Sequence, residues 1–203
     1  VGTWARPEGS PFWTKFKGDL AEFSKAYFDL YRHFNPTAFD ARRIVNQLEA
    51  AGVRYAGLTN KHLDGFCFFD TLTTDFKTTS RRCPHASHEQ ADVTAAFYQA
   101  LQERNLGTLC YFSKPDWHSP HYWHPRFPVL GRGVNYDTSA YPEIWAKFKT
   151  FTSRQIEELM SNYGRMDVLW LDGGWTRPPR EDIDMDHIAA TARSYQRQLL
   201  VVD

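Results

Sequence analysis

The sequence predicts an α/β fold organised as part of a (β/α)8-like TIM barrel, and three observations support that expectation. Four short runs of nearly continuous apolar residues recur along the chain, the pattern of parallel strands covered on both faces. Amphipathic helical stretches alternate with them, as parallel strands joined by crossover helices require. Every strand also runs into titratable residues at its C-terminal end, the face on which a barrel gathers its chemistry.

The first helix is expected over Ala38 to Ala51, where Phe39, Ile44, Val45 and Leu48 share one stripe. Gly52 should close it, since glycine adopts the left-handed conformation that ends helices. Tyr55 to Thr59 is the first strand and leads into Asn60-Lys61-His62-Leu63-Asp64. A second helix is expected over Ser87 to Asn105: Ser87 and Gln90 have the spacing of a capping box, and Val93, Phe97 and Leu101 repeat at helical intervals. Gly107 should close that helix before the second strand, Thr108 to Phe112, which opens into Ser113-Lys114-Pro115-Asp116-Trp117-His118.

Trp145 to Tyr163 places Phe148, Phe151, Ile156, Leu159 and Tyr163 on a third helix, stopped by Gly164. The third strand, Val168 to Leu171, delivers Asp172. A fourth helix over Asp182 to Gln198 precedes a last strand, Leu199 to Val202, that ends on Asp203. A complete barrel takes roughly 250 residues. With four such units in view, residues 1–203 are read as one catalytic barrel domain, about the first half to two-thirds of it, truncated at both ends.

Composition narrows the function. Lys+Arg and Asp+Glu both number 24, so the formal net charge is zero and no basic stripe supports nucleic-acid or membrane-surface binding. Neither is expected as a partner, and no apolar run reaches spanning length. Three cysteines without CxxC spacing suggest neither a disulfide framework nor a zinc knuckle. No Gly-x-Gly-x-x-Gly follows a strand, which argues against a dinucleotide site. Aromatic residues make up 16% of the chain, enough for a core of large rings and for surfaces on which the apolar face of a sugar could stack.

Asp172 is the leading candidate for chemistry. It ends a buried strand, and Gly173-Gly174 and Pro178-Pro179 follow it instead of a helix, so a nucleophile or base fits better than a helix cap. The two glycines would give a ligand close access to the backbone. Trp170 lies two residues earlier and shares its face if the strand continues that far. In the loop after the first strand, a neutral His62 could donate to a hydroxyl, and Lys61 could pair with Asp64. His118, His121 and His124 are spaced by three, which raises a metal site, but Pro115, Pro120 and Pro125 break any helix that would align them.

Three segments, LTNKHLDGFCFFDT (58–71), CYFSKPDWHSP (110–120) and SNYGRMDVLWLDGGW (161–175), together resemble the α-L-fucosidases of glycoside hydrolase family 29. The resemblance runs from about Phe34 to Asp203. It implies a (β/α)8-like barrel that removes terminal α-L-fucose from fucosylated oligosaccharides or glycoconjugates with retention, through a glycosyl-enzyme and without a cofactor or metal. It further implies that Asp172 is the nucleophile, that His62 and Trp170 contact the sugar, and that Tyr111 or its neighbour Phe112 does so too. Trp4 is a further substrate-facing candidate. The resemblance also implies a secreted, periplasmic or lysosomal protein and leaves oligomerisation open.

Two departures stand out. Leu63 occupies the place of a second histidine, and no residue of the chain, Glu181 included, is given the acid/base role, so the isolated chain is expected to be inactive. The alternatives are a catalytically inactive carbohydrate-binding barrel and a metal-dependent hydrolase using His118, His121 and His124.

Overall fold

A computed structural model gives the structure of residues 20–203. In chain order it contains α1 (Leu20–Asp29), a 3-10 turn (Leu30–His33), α2 (Ala41–Ala50), β1 (Tyr55–Lys61), a second 3-10 turn (Pro84–Ser87), α3 (Val93–Glu103), β2 (Gly107–Ser113), α4 (Pro142–Asn162), β3 (Val168–Asp172), α5 (Met185–Tyr195) and β4 (Leu200–Val202). The four strands form one parallel sheet in the order β1-β2-β3-β4, with a helix in each connection. Consecutive parallel strands lying side by side with crossover helices make an arc of a (β/α)8-like barrel wall.

The register sorts the strand residues into two faces. Leu58, Cys110, Leu169 and Val201 are neighbours in one row, and Thr59, Tyr111, Trp170 and Val202 in the next. The face of Cys110, Phe112, Leu169 and Leu171 is buried against Phe97 and Leu101 of α3, Phe148, Ile156 and Leu159 of α4, and Ile188 of α5. Burying each of Leu169 and Leu171 contributes about 1.5–3 kcal/mol. Only this face is fully covered: Tyr55, Trp170 and Leu200 remain exposed on the other, where the apolar runs suggested cover on both sides.

Short carboxylates start three of the helices. Asp40 Oδ1 accepts from Arg43 N at 3.0 Å, Asp92 Oδ1 from Ala95 N at 2.8 Å, and Asp184 Oδ1 from His187 N at 3.2 Å. Helix α4 instead begins with Pro142, whose missing N–H costs nothing in the first turn. The expected capping box at Ser87 does not form. Ser87 Oγ donates to Pro84 O inside a 3-10 turn, and Gln90 Oε1 accepts from Ala41 N, so the helix waits until Asp92. Segment 83–90 is thereby tied to the start of α2 instead of being helical.

Gly52 and Gly164 close their helices at φ +79° and +75°, as anticipated. Gly107 does not. Asn105 takes the left-handed turn at φ 54°, and Gly107 lies inside β2, where a Cβ would stand 2.0 Å from the Tyr55 ring. Its glycine is required by strand packing. Helix α1, which is not among the helices expected from the sequence, lies before α2 and sends Tyr27 and Phe28 toward the loops that follow β1 and β2.

Candidate active site

Asp172 ends β3 half-buried, and Ser113 is its register partner on β2. Tyr111, two residues earlier on the same face, donates from its hydroxyl to Asp172 Oδ2 at 2.6 Å; Ser113 Oγ stands at 3.5 Å from the same oxygen. Strand alternation settles which aromatic of the pair faces this side: Phe112 is wholly buried against the helices, while Tyr111 points to the carboxylate. Burial, and then the bond to Asp172, push the Tyr111 phenol up to about 12, so it remains a donor across the neutral range.

Asp172 caps no helix, because α5 starts at Met185 behind Asp184. Gly173 takes φ +94°, and a Cβ there would lie 2.4 Å from Pro115 Cδ, so this glycine serves the turn and the crossing of the β2 loop. Only Gly174, with nothing within 4 Å of a hypothetical Cβ, leaves open space. Of the two glycines expected to give a ligand close access to the backbone, Gly174 alone can do so. Trp170 shares the face of Asp172 and is 45% exposed, leaving indole surface open.

His62 follows β1 directly, its ring parallel to that of Tyr111 at 6.2 Å. Burial lowers its pKa, opposed by the charges of Asp64 and Asp172, so the ring is neutral near pH 7. Beside it, Asp64 Oδ2 accepts from the Tyr27 hydroxyl at 2.6 Å and Oδ1 from Phe66 N at 3.3 Å. A pocket of about 520 Å³ opens here, its lining including Tyr31, Phe66, Phe68 and Phe76 together with His62 and Asp64.

The possible Lys61–Asp64 pair does not form; Lys61 pairs with Asp116. A β-bulge between Thr59 and Lys61 turns Lys61 to the helix-covered side, where its ammonium meets Asp116 Oδ2 at 3.2 Å and lies 4.2 Å over the Phe112 ring. Lys61 is fully buried and Asp116 is 1% exposed, so each charge depends on the other. Asp116 Oδ1 also accepts from His118 N and Ser119 N, which fixes the start of the β2 loop.

The three histidines of that loop part company. His118 stacks on Phe76 at 4.1 Å, His121 faces Lys147 of α4, and His124 Nδ1 accepts from Arg126 N beside Phe127. Among the described residues no three His, Cys, Asp or Glu side chains converge as metal ligands, so the metal-hydrolase alternative loses its basis. Trp4 lies outside the described residues.

Two features escaped the sequence reading. Asn60 is buried, with Nδ2 2.7 Å from the Tyr98 hydroxyl and Oδ1 accepting from Thr94 Oγ1, so it anchors the β1 end to α3. Glu181 is 4% exposed and joins two loops: Oε2 accepts from the Tyr122 hydroxyl at 2.7 Å and Thr176 Oγ1 at 3.0 Å, and Oε1 from Val134 N at 3.1 Å. Neither lies in a periodic pattern; only a polar residue next to a buried strand end hinted at Asn60.

Comparison with known proteins shows the family of the chain. The family model for Alpha-L-fucosidase matches residues 12–203. Alpha-L-fucosidase 1 of Arabidopsis thaliana is 29% identical over 140 residues, 69% of this chain and 23% of that protein. The tissue alpha-L-fucosidase of Homo sapiens is 26% identical over 171 residues, 84% of this chain and 33% of that protein. Among solved structures, alpha-L-fucosidase AlfC from Lactobacillus casei in complex with alpha-L-fucose product superposes with a TM-score of 0.68 at 27% identity, covering 92% of this chain and 57% of that one. Alpha-L-fucosidase isoenzyme 1 from Paenibacillus thiaminolyticus gives 0.72 at 27% identity, covering 98% and 45%. The chain thus spans less than two-thirds of the length of each of these relatives.

Proposed function

The chain belongs to the alpha-L-fucosidase family, and we propose that its protein hydrolyses terminal α-L-fucosides with retention, using Asp172 as the nucleophile. The observation that carries this reading is the Asp172 carboxylate at a strand's C-terminal end, with one oxygen held by the Tyr111 hydroxyl at 2.6 Å. A hydrogen bond to Oδ2 fixes the carboxylate and leaves Oδ1 free to attack.

In the first step an Oδ1 lone pair bonds to the anomeric carbon as the bond to the leaving oxygen breaks, and that oxygen takes a proton from a second carboxyl group. In the second step this group, now a base, takes a proton from water, whose oxygen displaces Asp172 and releases fucose. Retaining enzymes place the two carboxyls roughly 5–5.5 Å apart. Glu181 does not suit the second role, because it is buried and its oxygens already accept three hydrogen bonds. A neutral His62 can donate to a sugar hydroxyl, and the exposed indole of Trp170 offers a face to the ring and its apolar methyl group. The substrate is a fucosylated oligosaccharide or glycoconjugate.

Asp172→Gly in the full-length protein should lower turnover of an aryl α-L-fucoside by several orders of magnitude. Azide should restore turnover and appear in the product as fucosyl azide. Full activity in that variant would remove Asp172 from the mechanism.

A further inference from the structure

Arg132 lies in the loop after β2, on a segment whose backbone is held on both sides. Trp117 Nε1 donates to Arg132 O at 3.0 Å, Trp123 Nε1 donates to Gly133 O at 3.0 Å, and Val134 N donates to Glu181 Oε1 at 3.1 Å. The two indoles stack 4.9 Å apart at 8°. The loop therefore presents its exposed arginine from a fixed position.

The guanidinium sits 4.0 Å from the ring centre of Trp175. That indole is itself anchored, its Nε1 donating to the Tyr122 hydroxyl at 3.2 Å, which in turn donates to Glu181. Trp175 is three residues beyond Asp172, a reach of roughly 10 Å even for extended chain. Among the described residues no carboxylate or carbonyl accepts a hydrogen bond from the Arg132 guanidinium. The nearest acid of the network, Glu181, is buried and already accepts three hydrogen bonds. A planar cation laid on an indole keeps its fork of donors oriented, and such a fork matches the oxygens of a sulfate or carboxylate.

We propose that Arg132 recognises an anionic oxygen group, a sulfate or a carboxylate, on the sugar unit to which the fucose is joined. The location rests on Asp172 as the reacting centre; the anion recognition rests on Arg132 and Trp175 themselves.

The test compares α-L-fucosides whose adjoining sugar is N-acetylglucosamine with and without a 6-sulfate, or glucuronic acid against glucose. In the full-length wild-type protein kcat/KM should favour the anionic member of at least one pair by about five- to tenfold at low salt. That ratio should fall toward one in Arg132→Gln, persist in part in Arg132→Lys, and shrink at about 0.5 M salt. Whichever pair shows the preference identifies the group. A ratio that is the same in the wild type and Arg132→Gln would overturn the proposal. If no fucoside is cleaved, the fucosidase reading fails separately, and saturation-transfer NMR with N-acetylglucosamine 6-sulfate and glucuronic acid still decides: binding that Arg132→Gln abolishes supports the proposal, and equal or absent binding refutes it.

Discussion

The pairing of Tyr111 with Asp172 is the smallest unit on which the account depends. A half-buried phenol pushed up to about 12 stays protonated, so its bond to the carboxylate is fully formed below the ordinary phenol value near 10 and is lost only as pH climbs through about 12. Tyr111→Phe should reduce kcat/KM by about 10- to 100-fold, the worth of a hydrogen bond to a charged group. The factor should be the same at about pH 6 and about pH 9, because the phenol does not ionise between them. A factor that shrinks toward pH 9 would show Tyr111 titrating in that range. The position of Asp172 was legible in the sequence, because the apolar run before it marks a strand that it ends and no helix pattern follows at once. Its partner was not: Tyr111 and Phe112 are adjacent aromatics, and only the register with β3 tells which shares the face of Asp172.

The elements themselves were readable to within a few residues wherever burial imposed a period. Strand β3 and helix α4 emerged because one face of each must be apolar. Boundaries failed where a cap competed with a tertiary contact, as at Ser87 and Gln90, and where a glycine answered to a neighbouring ring, as at Gly107 against Tyr55. The loops after β2 and β3 were the least legible, since what joins them is one buried carboxylate. Glu181→Gln keeps the shape of that junction but replaces an acceptor of three donors with an amide that presents two N–H groups of its own. Stability should fall by about 2–3 kcal/mol, roughly 5–10 °C in Tm for a domain of this size. Thermal denaturation of the variant checks this, and an unchanged Tm would mean that the loops are held by other contacts.

At the scale of the whole molecule, the parallel order β1-β2-β3-β4 brings His62, Tyr111 and Asp172 together from three successive strand ends. Alternating strands and helices announced that topology, and topology places His62, Tyr111, Trp170 and Asp172 on one rim. Long-range pairings were a different matter. Lys61 meets Asp116 across 55 residues and Tyr122 meets Glu181 across 59, distances over which a local pattern holds no information about partners; the sequence could offer Lys61 only the nearer Asp64 as one possible partner. Covalent trapping addresses the central claim most directly. The full-length protein is incubated with a fucosyl fluoride bearing a second fluorine beside the anomeric carbon, which destabilises the positively charged transition states and lets the glycosyl-enzyme accumulate. After proteolysis, mass spectrometry should find the fluorofucosyl group as an ester on Asp172. A label on any other carboxylate, or stereochemical inversion during ordinary turnover, would contradict the account.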